Sequence, residues 1–233
     1  MSWDNLLRFR LHLTAVIGLA ALAIYLNAVL GWIALSERLE LALVFGIGPA
    51  IVVATLAIGE RLNRRLNSML VRAGTLFMVI GFAIFTLMLT MQQALFAEYA
   101  RLRALAATDE ARLALRESFL LADQAQLGAD VAFDVFAALG IILVSIALFR
   151  VGRFASVVGA YGLATAGGLL ALNLWFFPVP PAEAGSIDLG PLTSLWFIGL
   201  ISVDRRLKGL EAAGRLGAVR VSAEATAAAS VAS

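Results

Sequence analysis

The chain has no cysteine and a single histidine, His12. The first absence excludes disulfide frameworks, thiolate metal sites and cysteine nucleophiles, and it removes any clue to redox compartment. The second excludes a multi-histidine metal centre. Charge is scarce too: Lys, Arg, Asp and Glu make up 15% of the 233 residues, where a soluble domain carries about 25%. So few polar groups cannot cover the water-exposed outside of a globule this large, and a soluble fold is excluded.

What the chain does have is apolar residues, 61% of the total, gathered in long blocks. Crossing about 30 Å of hydrocarbon takes about 20 helical residues. Uncharged runs of 23, 19, 25 and 24 residues occupy 13–35, 41–59, 73–97 and 154–177. Two shorter blocks reach span length only by taking in an acid, Asp134 in 131–149 and Asp188 with Asp204 in 188–204. The first block follows Arg8 and Arg10 like a secretory signal, but signal cores are about 7 to 15 residues, so it reads as a retained helix. Continuous apolarity, without the alternation of a barrel strand, predicts helices, which satisfy their own backbone hydrogen bonds in lipid. The expected fold is therefore an all-α polytopic membrane helix bundle with six transmembrane helices.

With the N-terminus cytoplasmic, 13 of the 18 basic residues fall on inner segments and 11 of the 16 acids on outer ones. The positive-inside rule then puts both termini in the cytoplasm, and an even number of spans agrees. The residues 98–130 form a long outer connection mixing Leu102, Leu105, Leu113, Phe119 and Leu120 with charges. Thr108-Asp109 is a helix-start signal within it, which predicts two short amphipathic helices capping the bundle outside. Residues 1–208 make up the membrane domain, and the small, polar tail at 209–233 is expected to be disordered.

Small residues recur every fourth position at Gly46, Ala50 and Ala54, and at Ala160, Ala164 and Gly168. Such rows let helix backbones approach, within one chain or across a homo-oligomer or protein partner. Glycines inside apolar helices, with no preceding strand and no Lys-Ser/Thr, carry no nucleotide motif. Trp3, Trp32, Trp175 and Trp196 lie near block ends and read as interfacial anchors. Arg61, Arg64 and Arg65, like Arg205, Arg206 and Lys208, read as topology signals, with anionic headgroups as a secondary partner. The expected surroundings are the lipid bilayer, with no nucleic acid, no metal and no cofactor.

The polar residues inside the blocks carry the sharper signal. Asn27, Gln92, Gln93, Asp134, Asn173 and Thr193 all fall toward the outer half of the membrane. Asp134 is the one ionisable residue well inside a span, and Asp130, four residues earlier, shares its helix face. An acid in a span is a functional hypothesis in itself. The candidate ion or substrate pocket is Asp130, Asp134, Asn27, Gln92 and Asn173. The competing explanation is that Asp130 and Asp134 sit at a helix N-terminus, where the helix dipole favours carboxylates. Pro178, Pro180, Pro181 and Gly190-Pro191 frame the outer loop before the last block, as a stiff connector or a ligand-contacting segment.

FDVFAALG from Phe133, LFRVGRF from Leu148, LNLWFFP from Leu172 and PPAEAGSIDLGPLTSLW from Pro180 together resemble uncharacterised bacterial multi-pass inner-membrane proteins of the domain-of-unknown-function type. The resemblance covers about the C-terminal 100 residues and the six-span layout. It implies a prokaryotic inner membrane and brings no activity or site residue with it. Two functions follow from the residues. One is a non-enzymatic accessory or sensory membrane subunit whose helices contact a partner. The alternative is a small ion-coupled transporter using Asp134 in an outward-facing polar pocket. A membrane-embedded enzyme ranks last, since it would rest on Asp130, Asp134, Glu183 and Asp188 alone.

Overall fold

The computed structural model describes residues 36–214, and among them the chain forms five α-helices and no strand. They are α1 (Glu37–Leu66), α2 (Met69–Leu105), α3 (Asp109–Leu148), α4 (Arg153–Phe176) and α5 (Gly190–Ala212). Each boundary has a local cause. Asn67 closes α1 in the left-handed region at φ 45° and donates its N–H to Asn63 O at 2.7 Å, a conformation Asn tolerates better than most residues. Arg64 and Arg65 stand in the last turn of α1, where the helix dipole favours cations. Thr108 caps α3 by accepting a hydrogen bond from the Ala111 N–H at 3.2 Å, with Asp109 and Glu110 in the first turn. Pro191 opens α5, where its missing N–H is not needed.

Short connections make successive helices antiparallel neighbours. Each packs on the next, and α5 returns to touch α1 as well as α4. The most intimate crossing is between α2 and α3. A methyl group on Gly74 would meet the Gly140 carbonyl oxygen at 2.7 Å, and one on Gly140 would meet the Gly74 carbonyl at 2.6 Å. Only glycine lets two backbones come this close, and the contact compensates for the absence of a hydrophobic driving force between helices in lipid.

Four helices, α1 to α4, are long and apolar enough to cross a membrane: Leu41–Leu66, Met69–Leu105, Asp109–Leu148 and Arg153–Phe176. Their outward faces stay apolar, with Leu76, Leu87, Val157 and Leu174 exposed, which suits hydrocarbon rather than water. The described residues do not support the full count of six spans. The 13–35 block lies outside them. The 188–204 block lies in α5, whose apolar stretch is too diluted to rank with the other four, by Gly190, Pro191, Thr193 and Ser194 at one end and by Asp204, Arg205 and Arg206 at the other.

Three further expectations are corrected. The 98–130 segment is not a pair of short surface helices but the continuation of α2 and α3, which run 37 and 40 residues. At 1.5 Å per residue they measure roughly 55 and 60 Å, well beyond the hydrocarbon thickness. They form a projecting hairpin pinned by Phe119 against Phe96 at 5.4 Å and against Tyr99 at 4.3 Å between ring centroids. Trp175 is 82% exposed, as an anchor would be, whereas Trp196 is 0% exposed and belongs to the core, edge-on to Phe197 at 5.2 Å. Trp3 and Trp32 lie outside the described residues. In the row of small residues on α4, Ala160 and Ala164 point outward, open to a partner outside the chain, while Gly168 approaches Leu189 and the other close approaches are at Gly159 and Gly162, against Ser145 and Trp196 among others. At the other end, α5 continues through Ala212, four residues into the expected tail, whose positions from 215 lie outside the described residues.

Candidate functional site

Asp130 and Asp134 lie on one face of α3 and open onto a cavity of about 320 Å³ bounded by all five helices and the loop between α4 and α5. Asp134 reaches back to α4: Asn173 donates from Nδ2 to Asp134 Oδ2 at 2.9 Å and from the same nitrogen to the Leu169 carbonyl at 3.0 Å. Asn173 is fully buried and its Oδ1 has no hydrogen-bond partner. The amide therefore presents its donor end to the carboxylate and leaves its acceptor unsatisfied.

The helix-end explanation for these acids does not hold. Because α3 begins at Asp109, Asp130 lies nearly six turns inside it and Asp134 nearly seven, at about 3.6 residues per turn. Unpaired N–H groups and the positive end of the dipole are confined to the first turn. Neither carboxylate caps anything, so the half-buried Asp134 has no local backbone compensation.

The α4–α5 loop supplies the rest of the acidic lip. Pro180 and Pro181 turn the chain back over the bundle, held by hydrogen bonds from Ala184 N to Pro180 O at 3.1 Å and from Ser186 N to Pro181 O at 2.8 Å. This brings Glu183 and Asp188 to the same cavity that Asp130 lines. Asp188 Oδ1 also accepts from the Gly190 N–H at 2.7 Å and so anchors the start of α5. The loop is a cavity-facing wall as well as a stiff connector.

Below the lip the walls are apolar. Ile51 and Ile58 of α1, Phe82 and Phe85 of α2, Ile141 of α3 and Phe197 of α5 line it. Ile141 lies about 10 Å deeper along α3 than Asp134, so the cavity reaches the middle of the bundle. One polar group interrupts this wall. Thr55, 2% exposed, carries an Oγ1 with no hydrogen-bond partner and lines the cavity.

Of the residues expected at the site, Asp130, Asp134 and Gln92 line one cavity and Asn173 bonds Asp134 from behind. Asn27 lies outside the described residues. Thr55, Gln126, Glu183, Asp188, Thr193 and Ser194 complete the polar lining and were not predicted as one site. Thr55 and Gln126 carried a signal as polar residues beside or within apolar blocks. The two loop acids carried none until the prolines had folded the loop inward. No Lys, Arg or His occurs among the described lining residues, and no three acids among the described residues are grouped closely enough to hold a metal ion.

A second buried polar cluster lies at the opposite end of the bundle. Asp204 of α5 is buried and forms ion pairs with Arg61 at 2.5 Å and with Arg65. Arg65 also donates to the Asp204 carbonyl at 3.1 Å and pairs with Glu211 at 3.2 Å. The i, i+4 spacing that puts both arginines on one face of α1 was visible in the sequence, but their reading as topology signals missed this partner. The cluster ties α5 to α1, a structural role. Compared with known protein families, with curated proteins and with solved structures, the chain matches none.

Proposed function

We propose that this integral membrane protein is a small ion-coupled carrier that takes its ligand into the acid-lipped cavity and uses Asp134 as the coupling carboxylate. The observation that carries the reading is the position of Asp134: deep within α3, on the wall of a cavity reaching mid-bundle, with the Asn173 amide as its hydrogen-bond donor. An intramembrane carboxylate with so little protein compensation is costly to keep unless a proton or cation neutralises it during function. A carboxylate that takes up such an ion at a ligand cavity can link the two loads.

The proposed orientation puts the end holding Arg61, Arg64, Arg65, Arg150 and Arg153 in the cytoplasm of a bacterial cell, together with both termini, and the α2–α3 hairpin and cavity mouth outside. The charge bias supports it. Ligand then enters from outside, and the Asp204 cluster closes the inner end.

Flux in proteoliposomes under an imposed proton gradient tests the reading. The wild type is expected to show gradient-driven uptake or exchange, and Asp134→Asn, which keeps size and one acceptor, to lose at least about tenfold of it, the fold-change of a single charged hydrogen-bond interaction. Indistinguishable flux from the two proteins would remove the carrier assignment. The accessory or sensory subunit has one observation in its favour, the outward-facing Ala160 and Ala164 on α4. It gains if both proteins are inactive in flux and the wild type co-purifies as a defined oligomer.

A further inference from the structure

We infer that the cavity binds an organic monocation, an ammonium headgroup on an apolar body, with the headgroup at the carboxylate lip and the body against the phenylalanine wall. The inference rests on the carrier reading for the site itself and adds the class of ligand. Three features of the cavity select this class.

Charge comes first. Asp130 and Asp134 from α3 and Glu183 and Asp188 from the loop converge on one mouth, and no cationic side chain among the described lining residues balances them. An anion would meet repulsion from every side, and a neutral ligand would leave the acids uncompensated.

Size and wall chemistry then separate an organic cation from an inorganic one. Calcium requires about 6 to 8 oxygen ligands at close range, and magnesium a near-ideal octahedron. No three acids among the described residues are grouped tightly enough to supply such a set. The volume of about 320 Å³ instead falls at the lower end of the range of about 300 to 1,000 Å³ that holds small organic ligands. Its deep half is apolar and aromatic: Phe133 lies 4.8 Å from Phe85 and 5.9 Å from Phe82 between centroids, and Phe197 lies 5.8 Å from Phe82. Aromatic faces attract alkylammonium groups and bury hydrocarbon at the same time, which suits a ligand with both parts.

The third feature is an unused polar group in the apolar wall. Thr55 Oγ1 is buried, faces the cavity and has no hydrogen-bond partner in the protein. Native structures rarely leave a buried hydroxyl unsatisfied. A polar substituent on the ligand's body, or a water carried with it, would complete it. The cavity thus reads as a headgroup site, an aromatic sleeve and one deep hydrogen-bonding point.

The test uses the purified full chain in detergent and three probes sharing one body: phenylpropylammonium, phenylpropanol and phenylpropionate. Binding is measured by isothermal titration calorimetry, with Asp130→Asn/Asp134→Asn as the variant and its size-exclusion profile as the check on folding. The ammonium is expected to bind at least about tenfold tighter than the alcohol, the worth of one charge-assisted contact, and the carboxylate not to bind. The double variant is expected to lose that preference while still binding the alcohol like the wild type. Equal binding of ammonium and alcohol by the wild type would overturn the organic-cation assignment while leaving the cavity as a ligand site. Displacement of the ammonium by sodium or calcium at lower concentration than by its own analogues would overturn it in favour of an inorganic ion. Binding of none of the probes would overturn it as well, and the proton-gradient flux assay, which does not depend on these probes, then shows separately whether the carrier reading survives. Should the double variant fail to fold, Thr55→Val and Glu183→Gln give the same comparison, the first predicted to leave the charge preference intact and the second to reduce it.

Discussion

Two carboxylates face opposite demands in this protein. Asp204 has full compensation, held by Arg61 and Arg65 with side chains of all three mostly shielded from solvent. Truncating one member of a buried ion-pair cluster typically costs about 3 to 5 kcal/mol. Asp204→Ala is therefore expected to destabilise the protein by about that amount, read as a lowered melting temperature in detergent, and Asp204→Asn by less, since it retains an acceptor. Equal stability of Asp204→Ala and wild type would show that the cluster does not hold α5 to α1. Asp134 has a single donor in Asn173. Hydrogen bonds to charged groups contribute about 1.5 to 3 kcal/mol, so a double-mutant cycle of Asp134→Asn with Asn173→Ala is expected to give a coupling energy in that range. A coupling near zero would mean that the two side chains do not work as a unit. The first pair locks a structural joint, and the second leaves charge available to a ligand.

Among the helices, the α2–α3 pair makes the closest backbone crossing. Gly74 and Gly140 bring two backbones to within the reach of a single methyl group. Gly140→Ala would drive Cβ into the Gly74 carbonyl and is expected to cost about 1 to 3 kcal/mol, as overpacking does. Gly46→Ala meets nothing within 4 Å and is expected to be neutral or to gain up to about 1 kcal/mol from reduced backbone freedom. Thermal unfolding of the two variants side by side checks the contrast, and similar losses from both would show that the crossing is looser than the glycine contacts imply. The helical boundaries themselves were partly legible. Thr108-Asp109 does restart a helix, but nothing in the charged run from Glu98 to Arg103 breaks one. Charge changes where a helix sits relative to lipid and leaves the i to i−4 ladder intact, so α2 simply continues out of the apolar zone.

For the molecule as a whole, the absence of cysteine turns topology into a clean measurement. Ala107→Cys at the exposed α2–α3 tip and Ser68→Cys at the α1–α2 turn are separated by the whole of α2, roughly 55 Å of helix. In intact cells an impermeant thiol reagent is expected to label Ala107→Cys and not Ser68→Cys; labelling of both from the same side would rule out a membrane-crossing α2. Composition and block length were enough to establish helices in lipid, because the cost of an unpaired backbone group in hydrocarbon and the thickness of the bilayer act on every sequence alike. The spacing of Asp130 and Asp134 likewise followed from the helical repeat alone. The sequence could not reveal which of the acids in the apolar blocks are compensated. Asp204 and Asp134 both interrupt apolar blocks, and only the approach of α5 to α1 gives one its arginines. Only the fold-back of the proline loop gives the other its acidic neighbours and its cavity. Charge compensation depends on distances of a few ångströms between residues far apart in the chain, and those distances exist only after the helices have packed.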